Sequence, residues 1–432
     1  MDINAKRNWL LVALLNLVVV ALLGLLLRWM FVSPVAGINY KYLLHAHSHV
    51  ALLGWLYPAL FVSLLVAFLP PGLQDKKTYA WQFWLSQGAV LGMLLSFPVQ
   101  GYAAVSITFS TLHILFSYWF VYRFLKDARQ AKLSQGKHRL SFQFVKGALF
   151  FLVLSSFGPW AMGPIMALGH SGGQLYYNAI YFYLHFQYNG WFTFGVLGLV
   201  FWLLEHHNIS FSLKYGQLFF KVMCWACLPA YLLSVLWIKP DAWVYWLGGL
   251  AALAQVGALV LLAAILWPLR RQVYTLFGNW SRSILLLATL AFILKTLMQF
   301  STTFPYMADL AYRLRFFIIG YLHLVLIGFV SFFILAFFAQ RGWLSFKSTM
   351  SRWGIGLFIL GFVSSEALLF LQGILFWASV GAIPNYNELL FGVSILLPLG
   401  ILLFFVPQVR YHALDVSKMR QRPVKSRSSA SK

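Results

Sequence analysis

The feature that most constrains this chain is the recurrence of long apolar segments. A helix needs about 20 mostly apolar residues to cross the hydrocarbon core of a bilayer. Twelve segments meet that need, at residues 8–32, 41–69, 79–99, 101–125, 141–168, 175–204, 217–238, 241–267, 281–302, 314–340, 352–380 and 387–407. Only 9% of the residues are charged, against about 25% in soluble domains. The sequence predicts an all-α polytopic membrane protein of about 12 transmembrane helices, with residues 1–407 as a single transmembrane domain.

Lysine and arginine residues set the expected orientation. The net charge of +23 is concentrated in alternate connections, including residues 123–139 and the tail from Arg410. The other connections hold only Lys41, Lys239, Arg313 and Arg315. The positive-inside rule then places both termini in the cytoplasm and the protein in the cytoplasmic (inner) membrane. We therefore expect the lipid bilayer and no nucleic acid as a partner, and a basic, disordered cytoplasmic tail over residues 408–432 that contacts anionic lipid.

Histidines inside apolar segments are the main clue to function, because ionisable groups in a membrane are costly and mark functional candidates. In this topology they lie on four segments that begin on the outer side, many of them roughly ten residues, or about 15 Å, deep. They are His45, His47, His49, His113, His185 and His323. Histidines on facing helices are a usual way to hold a cofactor in a bundle. Since His45 and His49 are four residues apart, they share a helix face and His47 points away from them.

The second and tenth segments resemble those of the catalytic subunit of the heme-copper oxidases and the related nitric oxide reductases. HSHVALLGW, residues 47–55, is similar to the family segment whose histidine ligates the low-spin heme. This implies His47 as a ligand, with His45 or His49 as alternatives. GYLHLVLIG, residues 320–328, is similar to the family H-x-H motif. It implies His323 as the second low-spin ligand and places Tyr321 where the family has its high-spin heme ligand.

The sixth segment carries the third resemblance. YLHFQYNGW, residues 183–191, is similar to the reductase segment whose histidine binds a non-heme metal. This implies His185 as a ligand of iron or copper, with Asn189 in place of the family's metal-binding glutamate. The family's pair of histidines on helix 7 is missing from residues 217–238. The resemblance therefore retains the low-spin heme pair and loses most ligands of the non-heme metal.

The resemblance implies a bundle like that of oxidase subunit I, with one heme b between helices 2 and 10. A heme with two histidine ligands has no open position for oxygen, so we expect electron transfer or an accessory role in respiration. The electron donor would be a cytochrome c-like protein or a quinol. Family arginines on the outer side hold heme propionates, which implies this role for Arg313 and Arg315.

Two other functions stay open from the residues alone. A histidine-lined transporter of metal ions or protons would use His45, His49 and His185, with His113 as a further candidate. Transporters often contain internal repeats, and we expect none in this sequence. A divergent nitric oxide or oxygen reductase, which would make the chain an oxidoreductase, would use His185 and Tyr321.

Lys295 and Glu366 both fall near the middle of apolar segments. Charged groups at that depth either pair with each other or relay protons. The sequence thus predicts a buried ion pair or a proton path.

Overall fold

The structure is a computed structural model that describes residues 3–411, and the regular elements in this range are helices. The long helices α1 to α12 cover Ile3–Trp29, Tyr40–Phe68, Lys77–Gln100, Ala104–Gln130, Arg139–Ala167, 174–206, Leu213–Ile238, Ala242–Leu266, Asn279–Ser301, Arg315–Gln340, Thr349–Trp377 and Tyr386–Arg410. Short helices Pro71–Gln74, Arg270–Thr275 and Pro305–Arg313 lie in the connections. The end of α7, Pro229–Ile238, is wound as a 3₁₀ helix.

Ten of the described helices are long and apolar enough to cross a membrane. The exceptions among the long helices are α3 and α6, where side chains such as Gln82, Gln187 and Asn189 lower the mean hydropathy. The expected all-α class and polytopic membrane character are confirmed. The C-terminal helix continues to Arg410, beyond the expected boundary at 407. Residues 412–432 of the expected tail lie outside the described residues.

The connection between α3 and α4 shows that the adjacent runs 79–99 and 101–125 form separate helices. Gly101 ends α3 with φ of +62°, a conformation that favours glycine. A Cβ atom at this position would lie 2.4 Å from the ring of Tyr42 on α2. The turn is therefore possible only with glycine, and it is held close to the histidine-bearing part of α2.

Three helices change to wide π-helical geometry directly after a histidine. In α2, α6 and α10 the π-helical stretches are Val50–Leu56, Phe186–Phe192 and Leu324–Ser331. Each has a glycine five residues after the histidine, followed by Trp or Phe, in the segments HVALLGW, HFQYNGW and HLVLIGF. The glycines allow close packing, since a Cβ at Gly190 would lie 2.4 Å from Phe151 of α5 and one at Gly328 would lie 2.7 Å from Phe362 of α11. Such π-helical turns frequently occur at functional sites.

This pattern is an internal repeat with a spacing of four helices. The α2 helix packs between α1 and α3, α6 between α5 and α7, and α10 between α9 and α11, and the three central helices contact one another. Helices α4 and α5, α8 and α9, and α12 and α1 join the three units into a ring. The expectation that the chain has no internal repeat is wrong. The hydropathy pattern of the sequence does not show this repeat, because only the histidine, the glycine and the aromatic residue recur in the three units.

Candidate functional site

His47 of α2 and His323 of α10 lie near each other in the interior of the bundle. The two side chains are close enough to interact electrostatically with each other and with Arg28 of α1. Gly24 lets His47 approach α1, because a Cβ there would lie 3.0 Å from His47 Cε1. The side chain of His323 is 29% accessible. These contacts place both imidazoles among α1, α2, α10 and α11, where each is partly accessible, and we call this region the His47 and His323 space.

The Nδ1 atom of each of these two histidines lies near an oxygen atom of a neighbouring helix. His47 Nδ1 lies 3.0 Å from the carbonyl oxygen of Val20, and His323 Nδ1 lies 3.5 Å from Glu366 Oε1. A carbonyl oxygen only accepts, so Nδ1 of a neutral His47 carries the proton and Nε2 carries the lone pair. Across residues 3–411 neither His47 Nε2 nor His323 Nε2 has a hydrogen-bond partner. His47 thus combines a hydrogen-bonded Nδ1 with a free Nε2, which is how proteins orient a histidine ligand, whereas Glu366 lies beside His323 Nδ1 without forming a hydrogen bond.

Glu366 and Arg28 bring an acidic and a basic side chain to the same space. Glu366 is buried, and neither carboxylate oxygen forms a hydrogen bond in the structure. Arg28 is close enough to interact electrostatically with Glu366, Tyr40 and Tyr386. A buried polar group without a hydrogen bond requires an explanation, and a ligand-binding role is one. Arg28 is not among the site residues expected from the sequence, although Val20, Gly24 and Arg28 are spaced by four and form one stripe of α1.

The two arginines expected to hold propionates lie differently. Arg313 ends the short helix Pro305–Arg313, pairs with Asp309 at 2.7 Å and has a side chain that is 69% exposed. Arg315 begins α10 and interacts electrostatically with Tyr40, which also neighbours Arg28. Arg28 is therefore the arginine that the structure places beside the two histidines, and Arg313 is turned toward Asp309.

His185 differs from His47 and His323, because both of its ring nitrogens have partners. Its Nε2 donates to the carbonyl oxygen of Cys227 at 2.9 Å, and its Nδ1 accepts from Asn189 Nδ2 at 3.1 Å. Neutral imidazole is fully satisfied in this way. Within the described part of the chain, no group of three or more His, Cys, Asp or Glu residues is arranged to hold a metal ion. The structure does not assemble further ligands around His185.

A cavity of about 790 Å³ lies beside His185, among α6, α7, α9, α10 and α11. Tyr321, Tyr188 and Glu366 line it together with many apolar side chains. The rings of Tyr188 and Tyr321 are 5.8 Å apart. Tyr321 thus faces this large cavity, whereas His323, two residues later, faces the space shared with His47. Glu366 borders both spaces.

Lys295 and Glu366 do not form the expected ion pair. Lys295 is buried, and its Nζ atom lies 5.8 Å from the ring centre of Phe292. Its electrostatic neighbours are His185 and Cys227, whereas Glu366 contacts His323. The prediction of a buried pair is wrong because the two side chains face different helices, and the proton path stays a prediction.

The opposite face of α2 carries the other two histidines of the segment. His49 Nδ1 lies 2.8 Å from the carbonyl oxygen of His45, and His49 Nε2 lies 3.4 Å from the hydroxyl of Tyr102. The ring of His45 packs edge-on against Tyr102, with the centres 4.6 Å apart. His113 of α4 lies near His49. The six histidines therefore form three groups instead of surrounding one centre.

A scan of protein-family models found no match to this chain, and a search of curated proteins found none. The fold and the sites define an all-helical membrane protein with interior spaces lined by histidine.

Proposed function

We propose that this chain binds one heme b between His47 and His323, as a divergent relative of the heme-copper oxidase catalytic subunits. The observation that supports this most directly is a pair of neighbouring histidines from α2 and α10 with free Nε2 atoms, where His47 Nδ1 is hydrogen-bonded to Val20 and His323 Nδ1 lies beside Glu366. In this proposal α3 and α6 also cross the bilayer, which gives twelve crossings. Both termini then lie in the cytoplasm, and the protein resides in the inner membrane.

The residues around this space fit a heme. Histidine is a common axial ligand of heme iron. The cation of Arg28 can pair with a propionate carboxylate through two parallel hydrogen bonds. The carboxylate of Glu366 beside His323 Nδ1 would orient the imidazole and increase its basicity as a ligand. Gly24 keeps α1 from crowding the ring of His47.

A heme held by two histidines supplies one-electron transfer and offers no free position for oxygen. The protein's own contribution is to fix the two imidazoles and to surround them with apolar helices. The Val20 carbonyl fixes the orientation of His47, and Glu366 fixes that of His323. The role that follows is electron transfer or an accessory function in respiration, with a cytochrome c-like protein or a quinol as the electron donor.

The test is a reduced-minus-oxidised absorption spectrum of the protein purified from cells with ample heme. We expect a sharp α band in the wild type and its loss in His47→Leu. His45→Leu, a matched change on the opposite face of α2, should keep the band. Absence of heme from well-folded wild-type protein would contradict the proposal, as would loss of the band in His45→Leu alone.

The large cavity supports a second candidate, a nitric oxide or oxygen reductase. At about 790 Å³ and lined by Tyr321 and His185, it could admit a second large planar group, and tyrosine can ligate heme iron. This candidate requires two hemes per chain and turnover of nitric oxide or oxygen that falls in Tyr321→Phe. One heme per chain without turnover would exclude it.

A transporter remains the third candidate. Transporters often contain internal repeats, so the repeat of α2, α6 and α10 is compatible with this function. It predicts a stoichiometric metal ion or coupled proton flux in protein that contains no heme, which elemental analysis and absorption spectra would separate from the first proposal.

A further inference from the structure

A second cavity, of about 330 Å³, lies on the opposite side of α2 from the His47 and His323 space. It is enclosed by α2, α4, α5, α6 and the turn after α3. Its polar lining includes His49, His113, Tyr57, Tyr183 and Gln187. Ligand sites of this size typically combine apolar walls with a few polar groups that fix orientation.

His113, one of the two histidines that line this cavity, has an unused acceptor. His113 is 2% exposed, its ring hydrogen-bonds the backbone of Leu53, and its Nε2 has no partner. The backbone bond therefore uses Nδ1 as donor, which leaves the Nε2 lone pair unpaired. A buried acceptor without a donor costs stability, so this atom points to a ligand that donates a hydrogen bond.

The neighbouring groups restrict which ligand fits. His49 Nδ1 donates to a carbonyl oxygen, so its Nε2 is also an acceptor, and the hydroxyl of Tyr102 is its donor at 3.4 Å. Burial raises the pKa of Tyr102, so this hydroxyl stays protonated and keeps its role as donor. In the described residues the hydroxyls of Tyr57 and Tyr183 have no hydrogen bond. The cavity thus offers acceptors and hydroxyls among aromatic walls.

The composition of the lining argues against a metal ion. It contains no carboxylate and no thiol, so a divalent cation would be buried without an anionic ligand, at high cost. A volume of about 330 Å³ is also far larger than one ion needs. A neutral ring compound needs no anionic ligand and is large enough to occupy this volume.

The rim of the cavity lies on the outside of the bundle. Trp160, Gly163 and Pro164 of α5 line the cavity and are exposed. In a membrane this surface of α5 faces lipid, so a ligand dissolved in the bilayer can reach the cavity directly.

We propose that this cavity binds the head group of a neutral, membrane-soluble hydroquinone, with a ring hydroxyl donating to His113 Nε2. The site prefers the hydroquinone to the matching quinone, because a quinone carbonyl has no hydrogen to donate and would place its lone pairs against that of the imidazole. This binding does not depend on heme in the space on the other side of α2.

The test is anaerobic titration calorimetry of the full chain in lipid nanodiscs with duroquinol and with duroquinone. We expect duroquinol to bind about tenfold more tightly, the effect of one buried hydrogen bond. In His113→Leu the affinity for duroquinol should fall by about that factor while duroquinone changes little. Equal affinity for both forms in the wild type would overturn the proposal, as would a stoichiometric metal ion that is lost in His113→Leu.

A second variant keeps the test valid if His113→Leu fails to fold. A Cβ at Gly163 meets no atom within 4 Å, and the same is true of Gly257 on α8. Gly163→Leu should fill the cavity and weaken both ligands, whereas the matched Gly257→Leu should leave both affinities unchanged. Duroquinol binding that survives Gly163→Leu unaltered shows that the ligand binds elsewhere.

Discussion

His185 and His323 occupy corresponding positions of the repeat, yet their surroundings differ. Each is followed by a π-helical stretch and by a glycine five residues later. Both nitrogens of His185 are satisfied by the protein, whereas His323 has only its Nδ1 beside Glu366. Histidines at equivalent positions of the repeat therefore need not have equivalent roles. The hydrogen-bond partners of each imidazole decide whether one of its nitrogens stays free to bind a cofactor.

Two neighbours cause this difference. Four residues after His185 is Asn189, which lies on the same helix face and donates to the ring. Four residues after His323 is Ile327, whose side chain cannot form a hydrogen bond. The facing helix of each unit completes the contrast, since α7 offers the carbonyl of Cys227 and α11 offers the carboxylate of Glu366.

The largest expected effect comes from removing the two histidines in turn. His323→Leu should abolish the heme absorbance, because it removes an axial ligand. His185→Leu should keep it, since that ring serves only hydrogen bonds of the protein. Absorption spectra at equal protein concentration measure this, with size-exclusion profiles as the control for folding. Heme lost from His185→Leu and retained by His323→Leu would reverse the assignment.

The next effect concerns Arg28, which lies near His47 and His323. Arg28→Met should weaken heme binding by about 1.5–3 kcal/mol, the range for a hydrogen bond to a charged group, seen as faster loss of heme to apomyoglobin. Arg313→Met is the matched control, because its exposed pair with Asp309 contributes about 0–1 kcal/mol. Equal loss rates for the two variants would mean that Arg28 does not contact the heme.

A third change acts on His185 alone. Asn189→Ile copies the residue found after His323 and leaves His185 Nδ1 buried without a donor. We expect the free energy of unfolding to fall by about 1–3 kcal/mol, measured as a lower midpoint of thermal unfolding. Ile327→Leu, at the corresponding position of α10, should change the midpoint much less. A midpoint unaffected by Asn189→Ile would show that water or another side chain replaces the amide.

The sequence predicts the helices well because each apolar run is a local property. It also predicts that His47 points away from His45 and His49, which follows from helical spacing alone. It could not predict the partners of Glu366, since contact with His323 instead of Lys295 depends on how α10 and α11 pack. In the sequence, Arg28 is only a basic residue at the end of a helix. Its place near His47 and His323 follows from how α10 and α11 pack against α1. Comparing the second, sixth and tenth segments would have revealed the repeat.

The smallest expected effect distinguishes two roles of Glu366. It acts either on His323 or only as a lining residue of the large cavity. Glu366→Gln removes the ionisable carboxyl group beside His323 Nδ1, whose ionised form favours the ferric heme. The midpoint potential should rise by about 60 mV, a tenfold change for one electron, while heme content stays the same. Glu388→Gln, an exposed carboxylate on α12, is the matched control and should not shift the potential. If Glu366→Gln leaves the potential unchanged, the carboxylate does not act on the heme ligand, and its role belongs to the large cavity.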